Sequence, residues 1–180
     1  MRTPDITHAL TRTTSTTGHT LWALTETRPG LLVFLRDFGC TFSREAVSDL
    51  TRVRCDIEAH ASIIVVHMGS PTDGCAFLNK YNLTGVEHVS DPKSRVYEAF
   101  GLERGTLAQV AGLAGWRRRV EAGILARHGL GLGPGDCFRM PGVFLVYRGS
   151  LMHSFVHKNA ADRPDYSELA ISPRPTKYPG

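Results

Sequence analysis

Two short apolar runs, set about one helix apart, decide what this chain can fold into. Leu31-Leu-Val-Phe-Leu35 is apolar throughout and lacks the alternation of a half-exposed strand. It predicts a strand covered on both faces. Ser62-Ile-Ile-Val-Val-His67 is a second such run, rich in β-branched residues. Between them, from about Thr41 to His60, the residues Ala46, Leu50, Val53 and Ile57 recur at helical spacing and share one face. Strand, helix and strand with short links form a βαβ unit, which requires parallel strands and a right-handed crossover. The expectation is an α/β domain with a central sheet flanked by helices. At 180 residues, one domain is expected.

The remaining elements follow from local signals. Thr20–Leu24 reads as a short edge strand, and Thr27-Arg-Pro-Gly30 as the turn after it. Ser70-Pro-Thr-Asp-Gly74 turns into a helix running to about Tyr81, and Val86–Ser90 is a short strand. Asp91 is placed to cap a helix with Pro92 at its first position, ending near Phe100. Helices are expected over Leu107–Leu113 and Trp116–His128, then a glycine-rich connection over Gly129–Asp136. Gly142–Arg148 and Leu151–Val156 read as a hairpin, followed by a short helix from Asp165 to Ile171. Residues 1–19 and 172–180 are polar or proline-broken and are expected to be tails.

Cys40 is the residue that carries chemistry. A glycine turn delivers it from the first buried strand to the first turn of the following helix. Open N–H groups and the helix dipole favour a thiolate there, and Arg36, Arg44 and Arg139 are further cations placed to do so. A thiolate attacks a peroxide oxygen or a disulfide sulfur far better than a thiol does. Ser43 and Thr41 are hydroxyls in the same first turn, able to bond to the sulfur or to backbone.

With these residues in view, the chain resembles the peroxiredoxin-like AhpC/TSA family, in the group that holds selenoprotein L-like proteins and prostamide/prostaglandin F synthase. Phe34-Leu-Arg-Asp-Phe-Gly-Cys-Thr-Phe-Ser-Arg-Glu45 is similar to that group's active-site segment, and Val89-Ser-Asp-Pro-Lys-Ser-Arg-Val-Tyr-Glu-Ala-Phe-Gly-Leu102 to its aspartate-proline helix start. Arg139-Met-Pro-Gly-Val-Phe-Leu-Val-Tyr-Arg-Gly-Ser-Leu151 resembles the cis-proline segment and hairpin of thioredoxin-like proteins, and Asp162-Arg-Pro-Asp-Tyr166 fits the C-terminal part. The resemblance spans roughly residues 20–170. It implies a thioredoxin-like fold with a mixed sheet, a helical insertion before the hairpin and a cis bond at Pro141. It also implies reduction of a hydroperoxide or endoperoxide at Cys40, with the loop of Met140 and Pro141 facing the thiol and its substrate. Phe42 is a further candidate for substrate contact, and Arg36 and Arg139 either reach the thiol or are surface charges, since one residue of register flips a side chain's face.

Two departures shape the expected cycle. Ser43 stands where the group usually has a second cysteine, so the site reads Cys-x-x-Ser and cannot close a disulfide. Arg36-Asp-Phe-Gly39 replaces the proline and threonine that precede the reactive cysteine in ordinary peroxiredoxins. The reducing thiol then comes from elsewhere: Cys137 within the chain, or an external thiol of the glutathione or thioredoxin type. Two other readings stay open, a binding or regulatory module without turnover and a monothiol disulfide exchanger.

Other features exclude rather than assign. A net charge of +4 is ordinary for a solvated surface, and Arg117-Arg-Arg119 lacks the broad basic patch and stacking aromatics that nucleic acid needs. No 18-residue apolar run spans a membrane, and no secretory leader is evident, so cytoplasmic location and reduced thiols are expected. His60, His67, His88, His128, His153 and His157 show no metal-ligand spacing. No organic cofactor or metal is implied.

Overall fold

The computed structural model describes residues 6–104, 139–157 and 163–171. The central element is β1 (Gly30–Phe34), and all five of its residues are buried. It pairs in parallel with β2 (Ser62–His67) and antiparallel with β4 (Gly142–Tyr147). β3 (Glu87–Ser90) extends the parallel side and β5 (Ser150–Val156) the antiparallel side, giving the order β3-β2-β1-β4-β5. This mixed sheet is the expected thioredoxin-like arrangement.

Strand alternation divides the core into two layers. Leu31, Val33, Ile63, Val65, Val143 and Leu145 point to the side of α3 (Thr41–Arg52), α4 (Arg54–Glu58), α5 (Pro71–Lys80) and α7 (Tyr166–Ile171), where Val47, Leu50, Ile57, Phe77, Leu78 and Leu169 meet them. Leu32, Phe34, Ile64, Val66, Phe144 and Val146 point to the other side, against α1 (Ile6–Arg12), α2 (Leu21–Glu26) and α6 (Arg95–Ala99). Each fully buried side chain of this size contributes roughly 1.5–3 kcal/mol. A sheet sealed on both faces is therefore the main source of stability.

Several local expectations are corrected. Thr20–Leu24 is not a strand: Thr20 caps α2, its hydroxyl accepting from Ala23 N–H at 3.1 Å. The segment before it is not wholly a tail, since α1 lies there and Leu10 is fully buried beside Leu21. The helix after Cys40 breaks at Val53, dividing it into α3 and α4. α6 begins at Arg95 rather than at Pro92. Asp91 still serves its start, its carboxylate accepting from the N–H groups of Arg95 at 3.0 Å and Val96 at 2.7 Å.

Pro141 is trans, since no peptide bond among the described residues is cis. The chain runs straight through here: Arg139 bridges to Arg104, Met140 N–H donates to the Glu103 carbonyl at 3.1 Å, and β4 begins at Gly142. No reversal is needed, so the ordinary X–Pro preference holds. The expected hairpin is present, and Arg148 (φ 49°) and Gly149 (φ 74°) form its left-handed two-residue turn. Trp22 covers Gly149, where any Cβ would strike its ring. The helices expected over 107–113 and 116–128, the arginines at 117–119, the glycine-rich connection, Cys137 and the tail from 172 lie outside the described residues.

Candidate active site

Cys40 is the N-cap of α3, in extended conformation (φ −69°, ψ 129°), half-buried and free. Its N–H donates to the Asp37 carbonyl at 3.2 Å, which closes the turn from β1, and its own carbonyl accepts from Arg44 N–H. Its side chain makes no capping hydrogen bond. The Cys40 sulfur therefore caps none of the first-turn N–H groups of α3.

Ser43, one turn on, is 3% exposed, and its hydroxyl oxygen accepts from Arg36 N–H at 3.3 Å. This bond ties the end of the β1 segment to the start of α3, with the Cys40 turn held between them. Arg36 is 6% exposed. Arg36 and Ser43 both line a small cleft of about 30 Å³, together with Phe42 and Pro141. Cys40 itself is not among the lining residues. Thr41 opens α3 through its backbone.

Arg139 is placed differently. Its guanidinium donates to the Leu102 carbonyl at 3.0 Å and to Glu98 at 3.3 Å, on the α6 side of the sheet, and it does not line the cleft. A one-residue step along an extended strand moves a side chain to the opposite face, and here it takes Arg139 away from α3. Met140 is buried outside the cleft, with its N–H already engaged by Glu103. Cys55 and Cys75 are exposed on α4 and α5.

The rest of the cleft comes from residues that sequence reasoning missed. His157 and Tyr166 line it, and Arg163 bridges from its rim to Glu45 at 2.8 Å and Asp49 at 3.8 Å on α3. Burial and the Asp49 carboxylate push the Tyr166 phenol well up, against the opposing Arg163 charge, so it remains a neutral hydroxyl.

Under the Cys40 turn lies a buried histidine pair. His67 Nε2 stands 2.9 Å from His88 Nδ1, so one ring donates and the other accepts. The Phe38 ring, two residues before Cys40, packs 5.2 Å from His67 and stacks on Phe77 at 4.5 Å. Gly74 allows this enclosure, because any Cβ there would strike the His67 ring. Burial, then the neighbouring His88, push His67 down to about 4, opposed by the Gly69 backbone and Asp73. Burial also lowers His88, against Glu87.

The unfolded chain binds the His67 proton near pH 6.5, while the fold refuses it until about pH 4. Stability is full above the unfolded value and falls as pH drops between the two, by up to about 3 kcal/mol. Imidazole NMR should find His67 neutral at pH 5, and urea midpoints should decline from pH 6.5 to 4.5. A protonated His67 at pH 5 with a flat stability profile would refute the assignment.

Among the described residues, no group of three or more His, Cys, Asp or Glu side chains is placed to hold a metal, and no helix is long and apolar enough to cross a membrane.

No family model matches the sequence. The chain is 27% identical over 144 residues to prostamide/prostaglandin F synthase of Danio rerio, covering 77% of this chain and 71% of that one. It is 28% identical over 147 residues to the Salmo salar protein of the same name, covering 79% and 72%. In structure it is similar to a cysteine-to-serine mutant of Xylella fastidiosa PrxQ, with a TM-score of 0.62 at 17% identity, covering 89% of this chain and 86% of that one. It is also similar to the bacterioferritin comigratory protein of Xanthomonas campestris, with a TM-score of 0.60 at 14% identity and 83% of each chain covered.

Proposed function

We propose that this chain, a peroxiredoxin-like protein of the thioredoxin fold, is a thiol-dependent oxidoreductase that reduces a hydroperoxide or an endoperoxide through Cys40. The observation that carries this reading is the placement of Cys40 as the N-cap of α3, held between Asp37 and Arg44, next to a turn whose Ser43 and Arg36 line a cleft. The names of the similar proteins, a prostaglandin F synthase and peroxiredoxins, agree with that chemistry.

With a hydroperoxide, the Cys40 thiolate attacks the outer oxygen. The S–O bond forms as the O–O bond breaks, the departing alkoxide takes a proton to become an alcohol, and the sulfur is left as a sulfenic acid. An external thiol condenses with it, releasing water and leaving a mixed disulfide. A second external thiol frees Cys40 and departs as the oxidised disulfide. Ser43 holds the turn, and its hydroxyl cannot form the internal disulfide that a Cys-x-x-Cys site would use. Phe42 and Pro141, with Ala46 and Val143, give the cleft an apolar wall that suits the organic part of a peroxide.

Arg36 is the cation assigned to the reacting oxygens, because it lines the cleft and Arg139, which bonds Glu98 and Leu102 on the other side of the sheet, does not. The test is peroxide consumption with a glutathione- or thioredoxin-type donor. Arg36→Met should slow it by about tenfold or more, as removal of a preorganised donor does. Arg139→Lys should change it by less than about twofold. The reverse ranking would return the role to Arg139. A wild-type protein that forms mixed disulfides but consumes no peroxide would instead be a disulfide exchanger.

A further inference from the structure

Tyr97 is wholly buried on α6, on the far side of the sheet from α3, yet its hydroxyl does not merely sit in the core. It donates to the Leu35 carbonyl, with the Val66 carbonyl 3.0 Å away. Leu35 N–H donates to that same Val66 carbonyl at 2.9 Å. One hydroxyl thus joins the ends of β1 and β2 at the point where the chain leaves the sheet for Arg36 and the Cys40 turn.

The seat of Tyr97 is itself fixed. Its ring meets Phe34 edge-on at 5.0 Å. Buried Asp91 caps the first N–H groups of α6, and Asp91 N–H donates to the His67 carbonyl at 2.7 Å, beyond Val66 on β2. A continuous set of bonds therefore runs from Asp91 through α6 and Tyr97 to Leu35. From the next residue, Arg36 N–H runs on to Ser43 Oγ, one turn from the sulfur.

We propose that Tyr97 is a positioning residue for the Cys40 site: its hydroxyl fixes the C-terminal end of β1 and so sets where Arg36, Ser43 and the α3 N-terminus stand relative to the sulfur. This rests on the assignment of Cys40 as the reactive thiol. Tyr97→Phe keeps the ring and removes only the donor. It leaves a buried carbonyl short of a partner, and the strand end is free to shift by the fraction of an ångström that reactive geometry does not tolerate.

The experiment is iodoacetamide alkylation of the full chain from pH 5 to 9, followed by mass spectrometry of the tryptic peptide Asp37–Arg44, with peroxide consumption measured in parallel. In Tyr97→Phe the Cys40 rate at pH 7 should fall by about fivefold or more, and its pH profile should move to higher pH. Val89→Ala trims the same core layer without touching the strand-end bonds, and should lower stability while leaving the profile in place. If Tyr97→Phe does not accumulate folded, Asp91→Asn, which weakens the cap that seats Tyr97, should shift the profile the same way by about twofold or more. An unmoved profile in the hydroxyl-deleted protein, or an equal shift in Val89→Ala, overturns the proposal. Because alkylation needs no peroxide, a wild type inactive toward peroxide would sink the proposed reaction while this test of Tyr97 still reads out.

Discussion

Cys40→Ala should abolish thiol-dependent peroxide consumption, by on the order of a hundredfold or more, and leave the fold almost untouched. The first half follows because Ser43 cannot replace the nucleophile, and because Cys55 and Cys75 sit exposed on other helices without the α3 turn around them. The second half follows because Cys40 is only half-buried and its side chain makes no capping bond. The turn is held by backbone bonds from Cys40 N–H to Asp37 and from Arg44 N–H to Cys40, which alanine keeps. Thermal midpoints should therefore agree within about 2 °C. Retained activity in the alanine variant would remove Cys40 from the mechanism. A large loss of stability would mean that the sulfur is a packing group.

Phe34→Ala should cost about 3–5 kcal/mol, the range for deleting a buried aromatic side chain. Phe34 is 1% exposed, and its ring meets Tyr97 at 5.0 Å, Phe100 at 5.1 Å and Phe144 at 5.4 Å. Removing it opens a cavity at the centre of the layer that joins β1, β4 and α6, where relaxation by one neighbour strands the other two. A domain of this size is stable by about 5–15 kcal/mol, so the loss is a large fraction of the whole. Urea unfolding checks it. A change below about 1 kcal/mol would mean that this aromatic layer is not close-packed.

The two variants separate function from scaffold, and the same division describes what the sequence made legible. β1, β2 and the helix between them could be read directly, because continuous apolar runs and a periodic face encode burial locally. α1 and α2 could not. Leu10 and the short run from Leu21 to Leu24 sit in threonine-rich surroundings with too few apolar residues to show a helical period, and Leu10 and Leu21 are buried in the core layer on the α6 side of the sheet. Thr20 illustrates the ambiguity: a threonine before apolar residues serves equally as a strand former or as a helix cap.

The candidate site was legible only near Cys40. His67 and His88 are 21 residues apart and meet because the parallel register sets Val65 beside His88 and His67 beside Ser90, leaving the two rings as diagonal neighbours. His157, Arg163 and Tyr166 enter the cleft from the far end of the chain, which no local pattern announces. Pro141 and Arg139 show the opposite error. The family resemblance located the segment correctly before β4, but the isomer and the facing of the side chain depend on the path through Glu103 and Arg104.

The central claim is that Cys40 is the sulfur that peroxide oxidises. Mixing the reduced protein with one equivalent of hydroperoxide in the presence of a sulfenic-acid trap, then quantifying the adduct on each cysteine by mass spectrometry, tests it most directly. The adduct should form on Asp37–Arg44 ahead of Cys55, Cys75 and Cys137. Adducts on those three with Cys40 still a thiol would contradict it.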